Sequence, residues 1–382
     1  MTKSGAERAQ EFKPGIQGLR GIAMVAVLIF HIWPATLSGG FVGLDAFFVL
    51  SGYLITGGFL RELTRDGRIS LYRFYARRIM RLLPTASVTM LVVVALTAWL
   101  PALPDRHTAS QIAAGALYVL NWVFTAQPIN YLIGIPEPVR HFWSLSVEEQ
   151  YYLVWPLVLM VTWAMARRLG IKPIRACMVM VILLIAVSLA WSAWMVPRQH
   201  AVAYFSTTAR AWEILVGGLL ALLPVWRNRS RALSHSLAVL GTLLIVVPAY
   251  CLTIGSAYPG LAAMPPVIGA LLIVLVSGHQ DQISPPRWLT TRFLQYMGEV
   301  SYSLYLWHWP ILVVYALYRP VQGRLWDGLA VFVLSCLVAH ASKTLIEDPL
   351  RFARFARVAT WRPFAIGAVF MAATLLAAWS IY

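Results

Sequence analysis

The chain has 382 residues, 59% of them hydrophobic and only 12% charged, half the charged share of an ordinary soluble domain. Its net charge of +16 sits in short clusters between apolar runs and not along one face, which excludes a nucleic-acid-binding protein and fits the cytoplasmic loops of a membrane protein. Apolar runs of about 20 residues recur along nearly the whole length, so the fold class is all-α, a polytopic bundle of membrane-spanning helices.

The N-terminal stretch Met1 to Lys13 is polar and lacks a signal-peptide profile. The first apolar run, Gly18 to Ile32, carries Arg20 near its start and His31 near its end. Eleven helical residues at about 100° each return the two to one face, about 16 Å apart. Inside a bilayer such an ionisable pair marks a functional site.

The pattern predicts spans at 16–36, 41–61, 83–101, 147–166, 175–196, 204–226, 235–254, 262–279, 300–318, 326–346 and 362–382. The remaining apolar run, 109–127, is decided by charge. If it crossed, the cluster Arg167, Arg168, Lys172 and Arg175 would fall outside and every later loop would invert. If it is re-entrant or interfacial, that cluster joins the segment Arg61 to Arg81, Arg227 to Arg231 and Arg351 to Arg362 on the inside. Asn121, Trp122 and Gln127 also suit a partly wet environment. The expected topology is therefore ten core spans with a cytoplasmic N-terminus, a re-entrant or interfacial segment, and an eleventh span placing Tyr382 outside. Residues 1–351 form the membrane domain; 352–382 are a linker and the last span. Because the chain stops as that span emerges, we expect a longer natural protein continuing into an outer domain.

The loop between spans one and two is short, which predicts an antiparallel hairpin with His31 and Asp45 at similar depth in the outer half of the membrane. A carboxylate beside a histidine fixes its tautomer and raises its basicity, as general-base work requires; a hairpin-locking ion pair is the alternative. In Phe41–Tyr53, Gly43 and Gly52 permit close helix approach, and Ser51 either bonds a substrate or bonds back to its own helix. The segment Arg61 to Arg81 holds seven arginines and no lysine. Arg78 and Arg81 are helix-surface neighbours with Arg77 one step round, a pattern that sets topology and also suits bidentate phosphate binding.

The segment Arg140 to Pro156 is the most loaded. Ser146 with Glu149 fits a capping box, which leaves Glu148 without a structural explanation and, with Arg140 and His141, forms a site wall at the outer mouth of span four. Arg210 and Glu213, three residues apart in an apolar run, neutralise each other. His308, flanked by two tryptophans near mid-membrane, needs a polar partner. Glu347-Asp-Pro-Leu-Arg351 closes span ten at the inner face as a helix terminator. Cys177, Cys251 and Cys336 lie in apolar runs without paired spacing, and no histidine pair has metal-ligand spacing, so neither a disulfide framework nor a metal site is expected.

Arg20 and His31 with ten residues between them, followed by FFVLSGYLIT, YARRIMRLLP, WSLSVEEQYYLVWP and YSLYLWHWP in that order, resemble integral-membrane acyltransferase family three. The likeness runs from Gly15 to about Arg351 and is greatest to the branch that O-acetylates lipopolysaccharide, peptidoglycan and other bacterial surface glycans. It implies a bacterial inner-membrane transmembrane acyltransferase domain, with acetyl-coenzyme A taken from the cytoplasmic side and a sugar hydroxyl, as in lipopolysaccharide O-antigen, acetylated outside. It implies a lipid environment, a glycan or lipid-linked oligosaccharide acceptor, and an outer hydrolase-like domain or partner in several members. Arg20 and His31 match its first-helix motif, and Arg78 and Arg81 its inner arginine pair. Asp45, Ser51 and Glu148 fall in its other signature segments.

Combining the two levels, Arg20, Arg77, Arg78 and Arg81 hold the coenzyme phosphates, and His31, oriented by Asp45, deprotonates the acceptor hydroxyl. Arg140, His141, Trp143, His308 and Glu148 position the glycan, and an acyl relay through His31 or Ser51 is an alternative to direct transfer. The rival readings are a transporter or flippase for a lipid-linked or anionic molecule, with the buried charges as its pathway, and a non-catalytic scaffold for glycan assembly. No pair of broken inverted-repeat helices supports the transporter.

Overall fold

A computed structural model describes residues 13–100, 103, 105–126, 137–226, 230–278, 285–319, 324–353 and 361–382. Gln127, Arg227, Arg229, Arg354 and Arg357 of the sequence reading lie outside the described residues. The helices are α1 (Pro14–Ile32), α2 (Gly43–Asp66), α3 (Leu71–Trp99), α4 (Asp105–Ala116), α5 (Leu120–Ala126), α6 (Phe142–Arg168) and α7 (Pro173–Met195). There follow α8 (His200–Phe205), α9 (Thr207–Leu222), α10 (Arg231–Cys251), α11 (Met264–Gly278), α12 (Arg292–Tyr318), α13 (Leu325–Ser342) and α14 (Arg362–Ser380). Among the described residues nine helical segments are long and apolar enough to cross a membrane. The chain is a multi-pass helical membrane protein.

Local chemistry sets many of the boundaries. Prolines occupy the first turn of α1, α7 and α14, where a missing N–H costs nothing. Ser70 and Ser230 cap α3 and α10 by accepting from the backbone N–H groups of Arg73 and Leu233 at 3.4 and 3.2 Å. Two buried hydroxyls of α3 are satisfied by their own helix: Thr89 and Thr97 donate to the carbonyls four residues earlier at 3.0 and 2.9 Å.

Three boundaries differ from the sequence reading. The third span begins at Leu71, not near residue 83, because Pro84 is accommodated inside a continuous 29-residue helix. That places Arg77, Arg78 and Arg81 within the helix. Ser146 is no N-cap: it lies inside α6 and donates to the Phe142 carbonyl at 3.0 Å, so the capping box with Glu149 does not form. The segment Glu347–Arg351 does close the tenth span, but a turn later than its first residue: Glu347 ends a π turn (Lys343–Glu347) that carries α13 on into Asp348–Arg351, where the helix stops, and its carboxylate accepts from Ser303 at 2.8 Å.

The 109–127 run is two short helices, of 12 and 7 residues, about 18 and 10 Å long against a hydrocarbon core of about 30 Å. They are parted at Tyr118, whose φ of 54° is left-handed, and Gln150 donates to the Tyr118 carbonyl at 2.7 Å.

The chain forms two compact units: residues 1–65, 158–203 and 208–301, and residues 66–157, 204–207 and 302–382. In the first, α2 and α9 touch backbone to backbone. A Cβ on Gly52 would lie 1.7 Å from the Ile214 carbonyl oxygen, and one on Gly217 1.9 Å from that of Val49. Seven residues earlier on each helix, Asp45 meets Arg210. The two helices therefore run parallel. If α3, α6 and α7 each cross once between them, as the sequence reading has it, a further crossing by 105–126 would make them antiparallel, so on that count the packing fits a segment that turns back.

Candidate functional site

In the first unit α1 is buried along most of its length, but Arg20 and His31 are both only half-buried. The spacing that put them on one face holds over a continuous 19-residue helix. Arg20 donates from Nη2 to Ser301 Oγ of α12 at 2.7 Å, and Gln295 of α12 donates to the Pro14 carbonyl at 2.8 Å. α1 and the start of α12 thus run side by side in the same direction.

Asp45 does not lie where the hairpin argument put it. Before α2 begins, the chain folds back down the flank of α1: a Cβ on Gly40 would meet the Ala26 carbonyl oxygen at 2.3 Å, and one on Gly43 that of Ala23 at 2.4 Å. Asp45 consequently comes level with the turn around Gly21, roughly 15 Å along the axis from His31. Among the described residues its carboxylate is held not by His31 but by Tyr258, whose hydroxyl donates to Oδ2, and by Arg210 Nη2 at 3.4 Å from Oδ1. Arg210 also donates from Nη1 to Glu213 at 2.8 Å, as their spacing predicts. Asp45, Arg210 and Glu213 are all 0% exposed. This is a buried network of two carboxyls, one guanidinium and a phenol, drawn from α2, α9 and the loop after α10. Ser51, half-buried on α2, adjoins the Gly52 crossing.

In the second unit the arginine segment meets the carboxylates of α6. Arg78 donates to Glu149 Oε1 at 3.2 Å, and its guanidinium stacks over the Tyr152 ring, 3.5 Å from the centroid. Tyr152 in turn donates its hydroxyl to Glu148 Oε2 at 3.3 Å. The expectation that Arg78 and Glu148 mark opposite ends of the bundle fails. Arg78 lies seven residues into α3 and Glu149 seven residues into the oppositely directed α6, about 10 Å along each helix. Arg81 is half-buried on the same helix, whereas Arg77 is exposed.

The nominated glycan residues also gather in the second unit, and most are engaged. Arg140 donates from Nε to Glu137 Oε2 at 3.0 Å with both side chains buried. Trp143 packs edge-on against Phe205, centroids 5.2 Å apart. His308, fully buried, finds its polar partner in the Leu304 carbonyl, 3.0 Å from Nδ1. His141 lies 5.7 Å from His308 between ring centroids and 3.0 Å from the Leu306 carbonyl.

Tyr258, Glu149, Tyr152 and Tyr305 were missed as site residues. Glu149 was hidden by its apparent cap, and nothing in the local pattern around Tyr258 points to a partner 213 residues earlier. Among the described residues no group of three or more His, Cys, Asp or Glu side chains could hold a metal ion.

A family model described as an acyltransferase domain matches residues 13–382. The peptidoglycan O-acetyltransferase OatA of Listeria monocytogenes is 31% identical over 378 residues, covering 90% of this chain and 56% of that protein. The O-acetyltransferase OatA of Staphylococcus aureus is 33% identical over 361 residues, covering 89% and 57%. The putative peptidoglycan O-acetyltransferase YrhL of Bacillus subtilis is 32% identical over 359 residues, covering 88% and 55%. The chain spans about half the length of these curated relatives. No solved structure matches it.

Proposed function

The chain belongs to acyltransferase family three, and on that premise we propose that it moves an acetyl group from cytoplasmic acetyl-coenzyme A to a sugar hydroxyl of a surface glycan. The named relatives favour peptidoglycan over lipopolysaccharide O-antigen as that glycan. The observation that carries the reading is α1, which keeps a guanidinium and an imidazole half-buried on one face of an otherwise apolar helix. A multi-pass protein retains such groups at cost unless they act.

His31 takes the proton of the acceptor hydroxyl, whose oxygen attacks the thioester carbonyl. The tetrahedral intermediate collapses with loss of the coenzyme thiolate, which recovers a proton from the imidazolium. Arg78 and Arg81 bind phosphate of the donor, for which planar guanidinium forks are suited. Arg20, fixed by Ser301, is the cation that α1 itself contributes. Asp45 acts through Arg210 and Tyr258 as part of a network that fixes α2 against α9, and not by orienting His31. The bacterial inner membrane, an N-terminus inside and a C-terminus outside complete the reading. An outer hydrolase-like domain or partner would receive or pass on the acetylated glycan, with 1–351 as the acyltransferase domain and 352–382 as its connection.

Purified chain with labelled acetyl-coenzyme A and peptidoglycan fragments tests this directly. Label should enter ester linkage on the glycan, and His31→Ala should lower the rate by about a hundredfold or more. Transfer that survives His31→Ala would remove His31 as the base. Vesicle transport without transfer would replace the enzyme with the transporter.

A further inference from the structure

Around the start of α6 one buried nitrogen has no role in the steps above. His141 is 3% exposed, and its Nε2 lies 3.0 Å from the Leu306 carbonyl oxygen. A carbonyl only accepts, so Nε2 carries the hydrogen and Nδ1 is the lone-pair nitrogen of a neutral ring. Burial, and after it the neighbouring His308, holds His141 well below the usual imidazole range, in keeping with a neutral acceptor.

Among the described residues, the donors of four neighbouring side chains are already committed. Tyr305 donates its hydroxyl to the His141 carbonyl at 2.8 Å, and Ser144, 2.7 Å from the Tyr305 oxygen, donates there in turn. His308 directs Nδ1–H to Leu304, and Trp309 directs its indole N–H to the Glu137 carbonyl at 2.7 Å. Among the described residues Nδ1 of His141 is thus a buried acceptor with no donor. Buried polar atoms are almost always satisfied, by a ligand or water where the protein does not serve.

We propose that Nδ1 of His141 accepts a hydrogen bond from a hydroxyl of the acceptor glycan, so that this cluster is a subsite for a neutral, hydroxyl-bearing ligand. The charge balance argues for that class. Arg140 and Glu137 pair with each other, the lone pair of Nδ1 repels a phosphate or carboxylate, and the carboxylate nearest in sequence, Glu137, is already paired. The proposal rests on the glycan O-acetyltransferase reading and singles out, from the nominated glycan contacts, one whose ring nitrogen has no partner among the described residues.

Two substitutions split the two nitrogens. His141→Gln places an amide N–H where Nε2 donates to Leu306 and removes the acceptor at Nδ1. His141→Asn places a carbonyl oxygen where Nδ1 stands and removes the donor to Leu306. With the full chain in nanodiscs, labelled acetyl-coenzyme A and a soluble oligomer of N-acetylglucosamine and N-acetylmuramic acid, a subsite predicts that Gln raises the oligomer KM about tenfold. Asn should stay near the wild-type value even though its thermal midpoint falls. A purely structural histidine, or one that holds only a water molecule, predicts a wild-type KM for Gln, and that result overturns the proposal.

Nitrogen NMR of histidine-labelled chain gives the second measurement. The Nδ1 resonance assigned to His141 by its loss in His141→Asn should move when the oligomer is added without donor. A resonance unmoved by saturating oligomer also overturns the subsite. A shift in a chain that transfers no acetyl group would keep the subsite and reject the transferase reading.

Discussion

Arg78 places Nη2 3.2 Å from Glu149 Oε1 while its guanidinium plane covers the Tyr152 ring. A guanidinium can do both at once because it is flat and has donors along its edges; an ammonium cannot. Nε of Arg78 is buried and has no partner among the described residues, so part of the fork remains available. Arg78→Lys should therefore lower coenzyme A affinity about tenfold or more, read by calorimetry on detergent-solubilised chain. Arg77→Ala, on the exposed side of the same helix, should stay within about twofold. Equal losses at the two positions would mean that the segment attracts phosphate only as diffuse charge.

The Asp45, Arg210, Glu213 and Tyr258 network sets two carboxyls against one guanidinium in a site closed to solvent. Removing the shared cation strands both acids, so Arg210→Met should destabilise the chain by about 3–5 kcal/mol, seen as a lower thermal midpoint in detergent. Adding Asp45→Asn and Glu213→Gln to that variant should recover a large part of the loss, because the buried charges then vanish together. Tyr258→Phe removes one hydrogen bond and should cost about 1 kcal/mol. A triple variant no more stable than Arg210→Met would show that geometry, not charge, holds α2 to α9.

What the sequence made legible was period and charge: the helical class, most spans, the shared face of Arg20 and His31, and the i, i+3 pairing of Arg210 with Glu213. Depth was not legible. A short loop looks like a simple hairpin, but Gly40 and Gly43 let the chain slide down α1, and that shift carries Asp45 away from His31. Long-range partners were not legible either, since Tyr258 and Glu149 owe their roles to helices that meet only in the fold. Pro84 and Ser146 misled for a common reason. Each is a terminus signal by itself, and each is overridden inside a helix long enough to span.

The α2 and α9 crossing depends on two missing side chains. A methyl group at position 217 would overlap the Val49 carbonyl, and one at 52 the Ile214 carbonyl. Backbone atoms cannot yield as a flexible side chain can, so the helices would have to separate and loosen the ion network two turns away. Gly217→Ala should lower the thermal midpoint by an amount equivalent to about 1–3 kcal/mol. Gly58→Ala, whose Cβ would meet nothing within 4 Å, should be neutral or slightly stabilising. Equal behaviour of the two variants would contradict the close approach.

Parallel packing of α2 and α9 also makes a sidedness prediction that needs no assumption about which face of the membrane is which. Both helices end on one side, so the exposed positions Arg65, in the last turn of α2, and Val225, just after α9, should share it. α10 then carries the chain across, and Gly255 should lie opposite. Single cysteines at these three positions, in a chain whose Cys177, Cys251 and Cys336 are first replaced, can be labelled in sealed vesicles with a membrane-impermeant maleimide. Arg65→Cys and Val225→Cys should be protected or modified together, and Gly255→Cys should show the reverse. Opposite labelling of Arg65→Cys and Val225→Cys would require an odd number of crossings between them, as when residues 105–126 cross in addition to α3, α6, α7 and α9, and would count against the reading of that segment as one that turns back.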